Sequence, residues 1–200
     1  MFYIMIRIFY CNSHSNAIPE EISEYRKDKL FSTKTHEDRI GKINAAKVLK
    51  AGFAELGINE KDIVYAVSQN GKPYAENFPS VHFSLAHSKA FSLVAFSENE
   101  IGIDCEDNQR IVPNEIIYRF FTKSEADAFK TAPLTLWSAK EAFVKHTGKG
   151  FATGRNEIEL PYFENELILN GLWFKKLDIE EHTVVLCTGK QDELTVKKVL

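Results

Sequence analysis

The order of helical and extended segments along the chain is the feature that most restricts its fold. Within each half of the chain, an extended segment is followed by helical segments and then by further extended segments. This segregation favours an α+β fold over a parallel βαβ fold. We therefore predict two similar α+β halves, residues 1–98 and residues 99–200, separated near the polar run Ser97-Glu-Asn-Glu100.

In the first half, an apolar run at residues 2–10 predicts a buried strand, because Arg7 interrupts the run and it is too short to span a bilayer. Pro19 and Glu20 indicate the start of a helix that continues towards Phe31, and a longer helix is expected from Thr35 to Gly57. Runs rich in branched and aromatic residues then predict strands at residues 63–67, 81–85 and 91–96.

The second half repeats this order. A strand is predicted at residues 101–106, and three helices follow at residues 113–121, 123–130 and 134–147. The remaining extended segments predict strands at residues 157–160, 166–169, 172–177, 183–187 and 193–199.

Composition excludes some classes of function. The chain of 200 residues has 44% hydrophobic and 26% charged residues, which is typical of a globular protein. A net charge of −3 gives no electrostatic reason to expect nucleic-acid binding. Cys11, Cys105 and Cys187 are widely spaced and odd in number, which argues against a disulfide framework or a zinc site. We expect a cytoplasmic protein without a membrane segment.

Acidic residues alternate with apolar ones in Ile101-Gly-Ile-Asp-Cys-Glu-Asp107. In a strand, Gly102, Asp104 and Glu106 share one face, and carboxylates two residues apart lie about 7 Å apart. Such a pair has the spacing to hold one cation.

A second motif, Trp137-Ser-Ala-Lys-Glu-Ala-Phe-Val-Lys145, has helical spacing. Glu141 and Lys145 lie one turn apart on the polar side, whereas Leu136, Ala139 and Phe143 form an apolar stripe. Lys140 points away from the stripe that carries Glu141.

Together, Asp104, Glu106 and Glu141 form a set of oxygen ligands without histidine or cysteine, which favours magnesium or manganese over zinc. The nearby Lys145 suggests a substrate that carries phosphate. Taken separately, each motif has an ordinary alternative, a solvated strand face for the first and a helical ion pair for the second. The combination favours the metal site.

These motifs resemble the signature pair of the 4′-phosphopantetheinyl transferases, and the two-half length resembles their Sfp-type branch. The resemblance extends upstream to Asn70-Gly-Lys-Pro73 and Pro79-Ser-Val-His-Phe-Ser-Leu-Ala-His-Ser88. It is also present in Arg119-Phe-Phe-Thr122 and Lys145-His-Thr-Gly-Lys-Gly150. It is clear from residue 71 to residue 150 and absent from residue 155 onward.

The resemblance implies a pseudo-twofold pair of halves with coenzyme A in the cleft between them. It implies an enzyme of the holo-[acyl-carrier-protein] synthase type, expected to be a monomer. Such an enzyme transfers the 4′-phosphopantetheine arm of its co-substrate coenzyme A to a serine hydroxyl of an apo carrier protein and releases 3′,5′-ADP. The carrier is an acyl, peptidyl or related carrier protein.

The resemblance also assigns roles to residues of the second half. Asp104, Glu106 and Glu141 match the family's magnesium ligands, and Lys145 matches a lysine that contacts phosphate. Glu141 is the favoured base for the serine proton, either directly or through a metal-bound water, although a metal-bound carboxylate is a weak base. Asp104, Glu141 and Lys145 are thus the expected catalytic residues.

In the first half, His87 and Ser88 match the block that contacts the phosphates of coenzyme A, although Ala86 stands where a serine is usual. Lys72 is expected on the adenine and ribose side, with a solvated turn lysine as the alternative. One or two of a group of cations are expected to contact the 3′-phosphate, although Gly41 lies near an expected basic position. These cations are Lys27, Lys29, Arg39 and Lys42.

Between the two motifs lies an apolar segment where the family meets its carrier. A buried helix face is the stronger alternative, since Ile117 and Phe121 have ordinary helical spacing. Arg110, Arg119 and Lys123 are expected to steer an acidic carrier. The apolar residues of the segment are Ile111, Val112, Ile116, Ile117, Tyr118 and Phe121.

Two other classes of function remain compatible with these residues. A magnesium-dependent phosphohydrolase would use the same carboxylates and lysine with water as the nucleophile. A module that binds coenzyme A or a carrier without catalysis would need no assembled metal site.

Overall fold

The structure, a computed structural model, describes residues 5–150 and 154–200. The chain divides into two units, Met1–Asn99 with Asp192–Leu200 and, separately, Glu100–Gln191. Both units combine helices with largely antiparallel sheets, so the predicted α+β class is confirmed. No helix among the described residues is long and apolar enough to cross a bilayer.

Within its described residues, the first unit includes two α-helices and the strands of two sheets. The long helix packs on the larger sheet, where Phe53 and Phe96 meet edge to face at 5.0 Å. Residues 2–4 of the predicted first strand lie outside the described residues. In chain order the elements are β1 (Ile6–Cys11), α1 (Glu24–Phe31), α2 (His36–Glu55), β2 (Tyr65–Val67), β3 (Pro73–Ala75), β4 (His82–Ser88) and β5 (Phe91–Ser97).

The first helix begins later than its sequence suggests. Helix α1 starts at Glu24 rather than near Pro19, because the Ser23 side chain accepts a hydrogen bond from the backbone N–H of Arg26 and caps the helix. Ser23 is itself fixed, since its N–H and hydroxyl donate to the buried carboxylate of Glu60 at 2.7 and 2.8 Å. A carboxylate distant in sequence therefore determines where the helix begins.

Among the residues that the structure describes, the second unit includes three α-helices and a four-stranded antiparallel sheet. The elements in chain order are β6 (Ile101–Asp107), α3 (Asn114–Phe120), α4 (Lys123–Ala128), α5 (Pro133–Thr147), β7 (Glu166–Leu169), β8 (Leu172–Ile179) and β9 (His182–Thr188). The order of strands in the sheet is β6-β9-β8-β7, and the core is formed mainly by helix α5 against this sheet.

The last strand, β10 (Leu194–Lys198), does not stay with the second half. It pairs in parallel with β1, with Ile6 opposite Leu194 and Tyr10 opposite Lys198, and completes a sheet of order β10-β1-β5-β4. Residues 192–200 therefore group with the first unit, in contrast to the predicted half of residues 99–200. The strand was predicted correctly, whereas its partner depends on a pairing that spans nearly the whole chain.

Strand β6 and helix α5 approach each other unusually closely at Gly102. A Cβ atom on Gly102 would lie 1.9 Å from the carbonyl oxygen of Ala142 and 2.5 Å from the backbone nitrogen of His146. Only a residue without a side chain fits this contact. The approach places the face of β6 that carries Asp104 and Glu106 against the helix that carries Glu141 and Lys145.

A buried ion pair joins α4, α5 and the segment after α5. Lys140 and Glu125 form a salt bridge with side-chain exposures of 2% and 1%. Lys140 also donates to the carbonyl oxygens of Arg155 and Ile158, and Glu125 accepts from the N–H of Leu160 at 2.9 Å. The strand predicted at residues 157–160 is absent, because these side chains, and not a neighbouring strand, satisfy its backbone. Lys140 points away from the Glu141 stripe, as predicted.

Replacing Lys140 tests this buried pair. We expect Lys140→Met to lower the free energy of unfolding by about 3–5 kcal/mol, because the Glu125 carboxyl group would be left buried without its ion-pair partner. Lys149→Met is the matched control, since Lys149 pairs with Glu157 at 2.7 Å in an exposed position. That variant should lose about 0–1 kcal/mol in urea unfolding. Equal losses in the two variants would contradict the structural role of Lys140.

Replacing Gly102 tests the close approach of β6 and α5. Gly102→Ala should lower the free energy of unfolding by at least about 2 kcal/mol, because strand and helix must separate to admit the methyl group. Gly189→Ala is the control, since a Cβ at Gly189 meets no atom within 4 Å. Its stability in the same urea titration should change by less than about 0.5 kcal/mol. A Gly102→Ala protein as stable as this control would contradict the prediction, because it would show that β6 and α5 can separate at little cost in free energy.

Candidate active site

Lys145 and Asp104 form the centre of the site. The Lys145 ammonium donates to the Asp104 carboxylate at 2.7 Å and to the backbone carbonyl of Ile103 at 3.1 Å. Burial alone would lower the pKa of Lys145, but the Asp104 carboxylate outweighs it and keeps the pKa above its ordinary value. Lys145 is therefore a fixed positive charge on the β6 face.

Glu106 pairs with Arg110, which lies four residues later in the chain, beyond a turn. The Arg110 guanidinium forms an ion pair with the Glu106 carboxylate and lies over the Trp137 ring, 4.9 Å from its centre. Burial raises the pKa of Glu106, and the hydrogen bond from Arg110 opposes this shift. Asp104 and Glu106, the two carboxylates on this face of β6, are thus each paired with a cation.

Glu141 faces the same group of charges from helix α5. Burial, followed by the charge of Asp104, raises its pKa to about 7, although Lys145 acts in the opposite direction. Its carboxylate makes no ion pair or hydrogen bond within residues 5–150 and 154–200. Three carboxylates and two cations share this region, so negative charge is in excess when all are ionised.

The donor set fits a hard divalent cation. Asp104 is only 7% exposed, and its Oδ2 atom is buried and has no hydrogen-bond partner among the residues that the structure describes. A buried carboxylate oxygen that lacks a partner is costly unless a ligand satisfies it. As the described residues stand, however, no three His, Cys, Asp or Glu side chains converge closely enough to hold a metal ion. Lys145 and Arg110 hold two of the carboxylates instead.

In the first unit, Lys42 and His87 lie around one carboxylate. Lys42 pairs with Asp38 at 3.0 Å. The hydrogen bond from Lys42 lowers the pKa of Asp38, and the charge of His87 contributes to the same shift. His87 is exposed near the end of β4, and Ser88 follows it at the turn to β5.

The other predicted phosphate contacts are dispersed over the first unit. Lys72 follows Gly71, whose φ of 90° forms the turn between β2 and β3. Arg39 and Lys27 line a small cavity of about 250 Å³ with apolar walls, whereas Lys29 lies over the Tyr25 ring at 5.3 Å. The structure thus brings Lys42 and His87 together but does not gather all these cations around one point.

The backbone explains why no basic side chain occupies position 41. A Cβ atom on Gly41 would lie 2.8 Å from the carbonyl oxygen of Lys89, and the Gly41 carbonyl accepts a hydrogen bond from Ser92 at 2.8 Å. A longer side chain would require α2 to move away from the β4–β5 turn. The packing of α2 against the β4–β5 turn therefore excludes a basic side chain at position 41.

The apolar segment between the two motifs is mostly core, as the stronger alternative predicted. Val112, Ile117 and Phe121 are buried, whereas Ile111 is 89% exposed and Tyr118 is 49% exposed. A surface cavity of about 560 Å³ adjoins this segment. Its walls include Asn108, Arg110, Ile111, Thr135, Tyr162 and Glu164.

Sequence reasoning missed two residues of the site. Gly102 was assigned only to a strand face, although a glycine inside a strand can indicate close backbone approach. From the sequence, Arg110 is assigned only to carrier docking. A predicted turn after Glu106 would have indicated an ion pair between Glu106 and Arg110, which are four residues apart. That turn is closed by hydrogen bonds from Gln109 and Arg110 to Asp107.

The raised pKa of Glu141 has a consequence for stability that Glu141→Gln tests. Because the folded pKa is about 7 and the ordinary value is 4.5, the folded protein binds more protons between these values than the unfolded protein. The Glu141 contribution to stability is therefore lost as pH rises from 4.5 to 7.

Without divalent cations, Glu141→Gln should be more stable than wild type by about 1–3 kcal/mol at pH 8, with little difference at pH 4. Urea unfolding in EDTA measures this. Glu181→Gln, at an exposed position, corrects for the loss of one charge. A stabilisation that grows towards acid pH would contradict the assigned environment of Glu141.

Comparison with known proteins identifies a family that this chain resembles. Residues 100–185 match the family model of the 4′-phosphopantetheinyl transferase superfamily. The chain is 31% identical to 4′-phosphopantetheinyl transferase Sfp of Bacillus subtilis (strain 168), over 63% of each chain. It is 36% identical to 4′-phosphopantetheinyl transferase psf-1 of Bacillus pumilus, over 47% of this chain and 43% of the relative.

The chain thus matches less than two thirds of the length of these relatives. The matched family segment contains the motifs that carry Asp104, Glu141 and Lys145. Residues 100–185 are thus similar to the 4′-phosphopantetheinyl transferase superfamily, and the chain is similar to Sfp-type transferases.

Proposed function

We propose that this protein transfers the 4′-phosphopantetheine arm of coenzyme A to a serine hydroxyl of an apo carrier protein. The observation that carries the proposal is the group of Asp104, Glu106 and Glu141 beside Lys145, with an unsatisfied oxygen on Asp104. The names of the similar proteins, which describe 4′-phosphopantetheinyl transferases, support it.

In the proposed reaction, the serine oxygen attacks the β-phosphorus of coenzyme A. A bond forms between these atoms, the bond from the phosphorus to the oxygen of 3′,5′-ADP breaks, and the serine proton passes to a base. Asp104, Glu106 and Glu141 are the residues that would hold magnesium. When bound, magnesium supplies positive charge to the pyrophosphate oxygens.

Lys145 is suited to hold a phosphate oxygen. An ammonium group has three N–H donors, and within the described part of the chain Lys145 uses two of them, on Asp104 and Ile103. The third is available for a phosphate oxygen in a charge-assisted hydrogen bond. The pair with Asp104 fixes the ammonium, so the lysine loses little freedom when the substrate binds.

Glu141 has the pKa of a general base. A base works best when its pKa lies near the working pH, and burial beside Asp104 brings the pKa of Glu141 to about 7. The same carboxylate becomes a weaker base when it binds a metal. The two roles differ in their effect on the pH dependence of the rate, because only a base with an unbound carboxylate gives an acid limb near pH 7.

We further propose that His87, Ser88 and Lys72, together with Arg39 or Lys42, contact coenzyme A. The support comes from the pairing of Lys42 with Asp38 next to His87. A coenzyme site between two halves related by a pseudo-twofold axis stays a prediction from the resemblance. The holo-[acyl-carrier-protein] synthase type and the cytoplasmic location also stay predictions.

The proposed carrier surface lies beside the carboxylates in the second unit. Ile111 and Tyr118 provide exposed apolar area, and Arg119 and Lys123 provide exposed positive charge. These features suit a partner that is acidic around the modified serine.

A transfer assay tests the proposed function. Purified protein, coenzyme A, magnesium and an apo carrier protein should give a carrier whose mass increases by one phosphopantetheine group. Asp104→Asn should reduce the rate by at least about 100-fold, because the pair with Lys145 and the proposed metal site are both lost. Asp178→Asn, at an exposed pair with Lys176, should retain the wild-type rate.

Circular dichroism and thermal melting would check that each variant is folded. Coenzyme A consumed at the same rate without a carrier would identify a phosphohydrolase. Coenzyme binding without consumption, tested with acyl, peptidyl and related carriers, would identify a binding module.

A further inference from the structure

Arg110 occupies a position that the proposed reaction does not explain. It lies in the turn after β6, and its guanidinium pairs with Glu106, one of the three carboxylates proposed to hold a metal. It also lies over the ring of Trp137, one helical turn before Glu141. The positive charge of Arg110 also stabilises the ionised form of the Glu141 carboxylate. Arg110 thus stabilises two carboxylates that a divalent cation would also use.

The two cations of the site are held differently. Lys145 extends from the last turn of helix α5 and donates to both a carboxylate and a backbone carbonyl. Within the described part of the chain, the Arg110 side chain donates only to Glu106. Its side chain is 39% exposed, whereas that of Lys145 is 27% exposed. Arg110 is therefore the cation that can leave with less loss of contacts.

A cavity beside the Arg110 guanidinium provides space into which it can move. Arg110 lines the cavity of about 560 Å³, and Glu164 is another residue of its walls. The Trp137 ring at one side offers a cation–π contact that does not require Glu106. The turn backbone need not change, since it is held by hydrogen bonds to Asp107 that do not involve the Arg110 side chain.

We propose that Arg110 is a displaceable counter-ion of the metal site, a positioning residue that balances Glu106 until a divalent cation takes its place. This inference rests on the proposed function, because it assumes that Asp104, Glu106 and Glu141 receive a metal. The metal must compete with Arg110 for Glu106, so Arg110 weakens metal binding while it keeps the metal-free protein from accumulating unbalanced negative charge. Arg110 therefore sets the metal concentration at which the site assembles.

Calorimetric titration of the full chain with magnesium, and separately with manganese, tests the inference. Arg110→Gln should bind either ion about 5- to 20-fold more tightly than wild type, because a competing positive charge is removed. Arg110→Lys should bind with nearly wild-type affinity, since it keeps the charge. Arg119→Gln is the matched control, because Arg119 lies over the Phe120 ring at 5.6 Å and pairs with none of the three carboxylates. Its metal affinity should match wild type.

Tryptophan fluorescence provides a second measurement. In a Trp173→Phe background, emission comes from Trp137 alone, as the chain has two tryptophans. Metal addition should change this emission as the guanidinium moves relative to the ring. The same titration of the Arg110→Gln protein should show a change less than half as large. A change of equal size in both proteins would overturn the displacement.

The calorimetric outcomes separate this inference from the proposed function. Weaker or unchanged metal binding in Arg110→Gln, with clear binding in wild type, would overturn the inference and leave the metal site standing. Absence of metal binding in wild type, Arg110→Gln and Arg110→Lys alike would overturn both the metal site and the role of Arg110. Tighter binding in Arg110→Gln, restored to wild type by Arg110→Lys, is the result that supports displacement.

Discussion

The contact between Gly102 and helix α5 is the constraint on which the candidate site depends. A strand and a helix normally stand apart by the thickness of their side chains, but here the backbone of β6 lies directly against the carbonyl of Ala142. This brings the Lys145 ammonium within 2.7 Å of Asp104. With a larger residue at position 102, strand and helix could keep their own structure while the charges they carry were separated.

Electrostatic balance follows from this geometry. Carboxylates that are crowded and partly buried stay ionised only if nearby cations compensate the loss of water. Lys145 and Arg110 form ion pairs with Asp104 and Glu106, whereas Glu141 has no direct partner in the described part of the chain and its pKa rises to about 7. Asp104 and Glu106 therefore have ion-pair partners that Glu141 lacks, because the elements around β6 place a cation beside each of them.

Local patterns in the sequence predicted the parts of the site that lie on regular elements. Strand alternation placed Asp104 and Glu106 on one face, and helical spacing placed Glu141 and Lys145 on one stripe, as the structure shows. The pairing of Arg110 with Glu106 depends on a turn whose hydrogen bonds are not visible in a periodic pattern. Likewise, residues 157–160 have the composition of a strand, but Lys140 and Glu125 take over their backbone. Contacts between distant residues decided these cases.

The parallel pairing of β10 with β1 has a consequence for how the chain acquires its structure. The first unit is discontinuous, since residues 100–191 are synthesised between its two parts. On the ribosome, the second unit is complete in sequence before β10 exists, whereas β1 must wait with one edge uncovered until residues 194–198 emerge. During that interval the uncovered edge of β1 can pair with a wrong strand. We therefore expect the first unit to depend on chaperones during synthesis more than the second unit does.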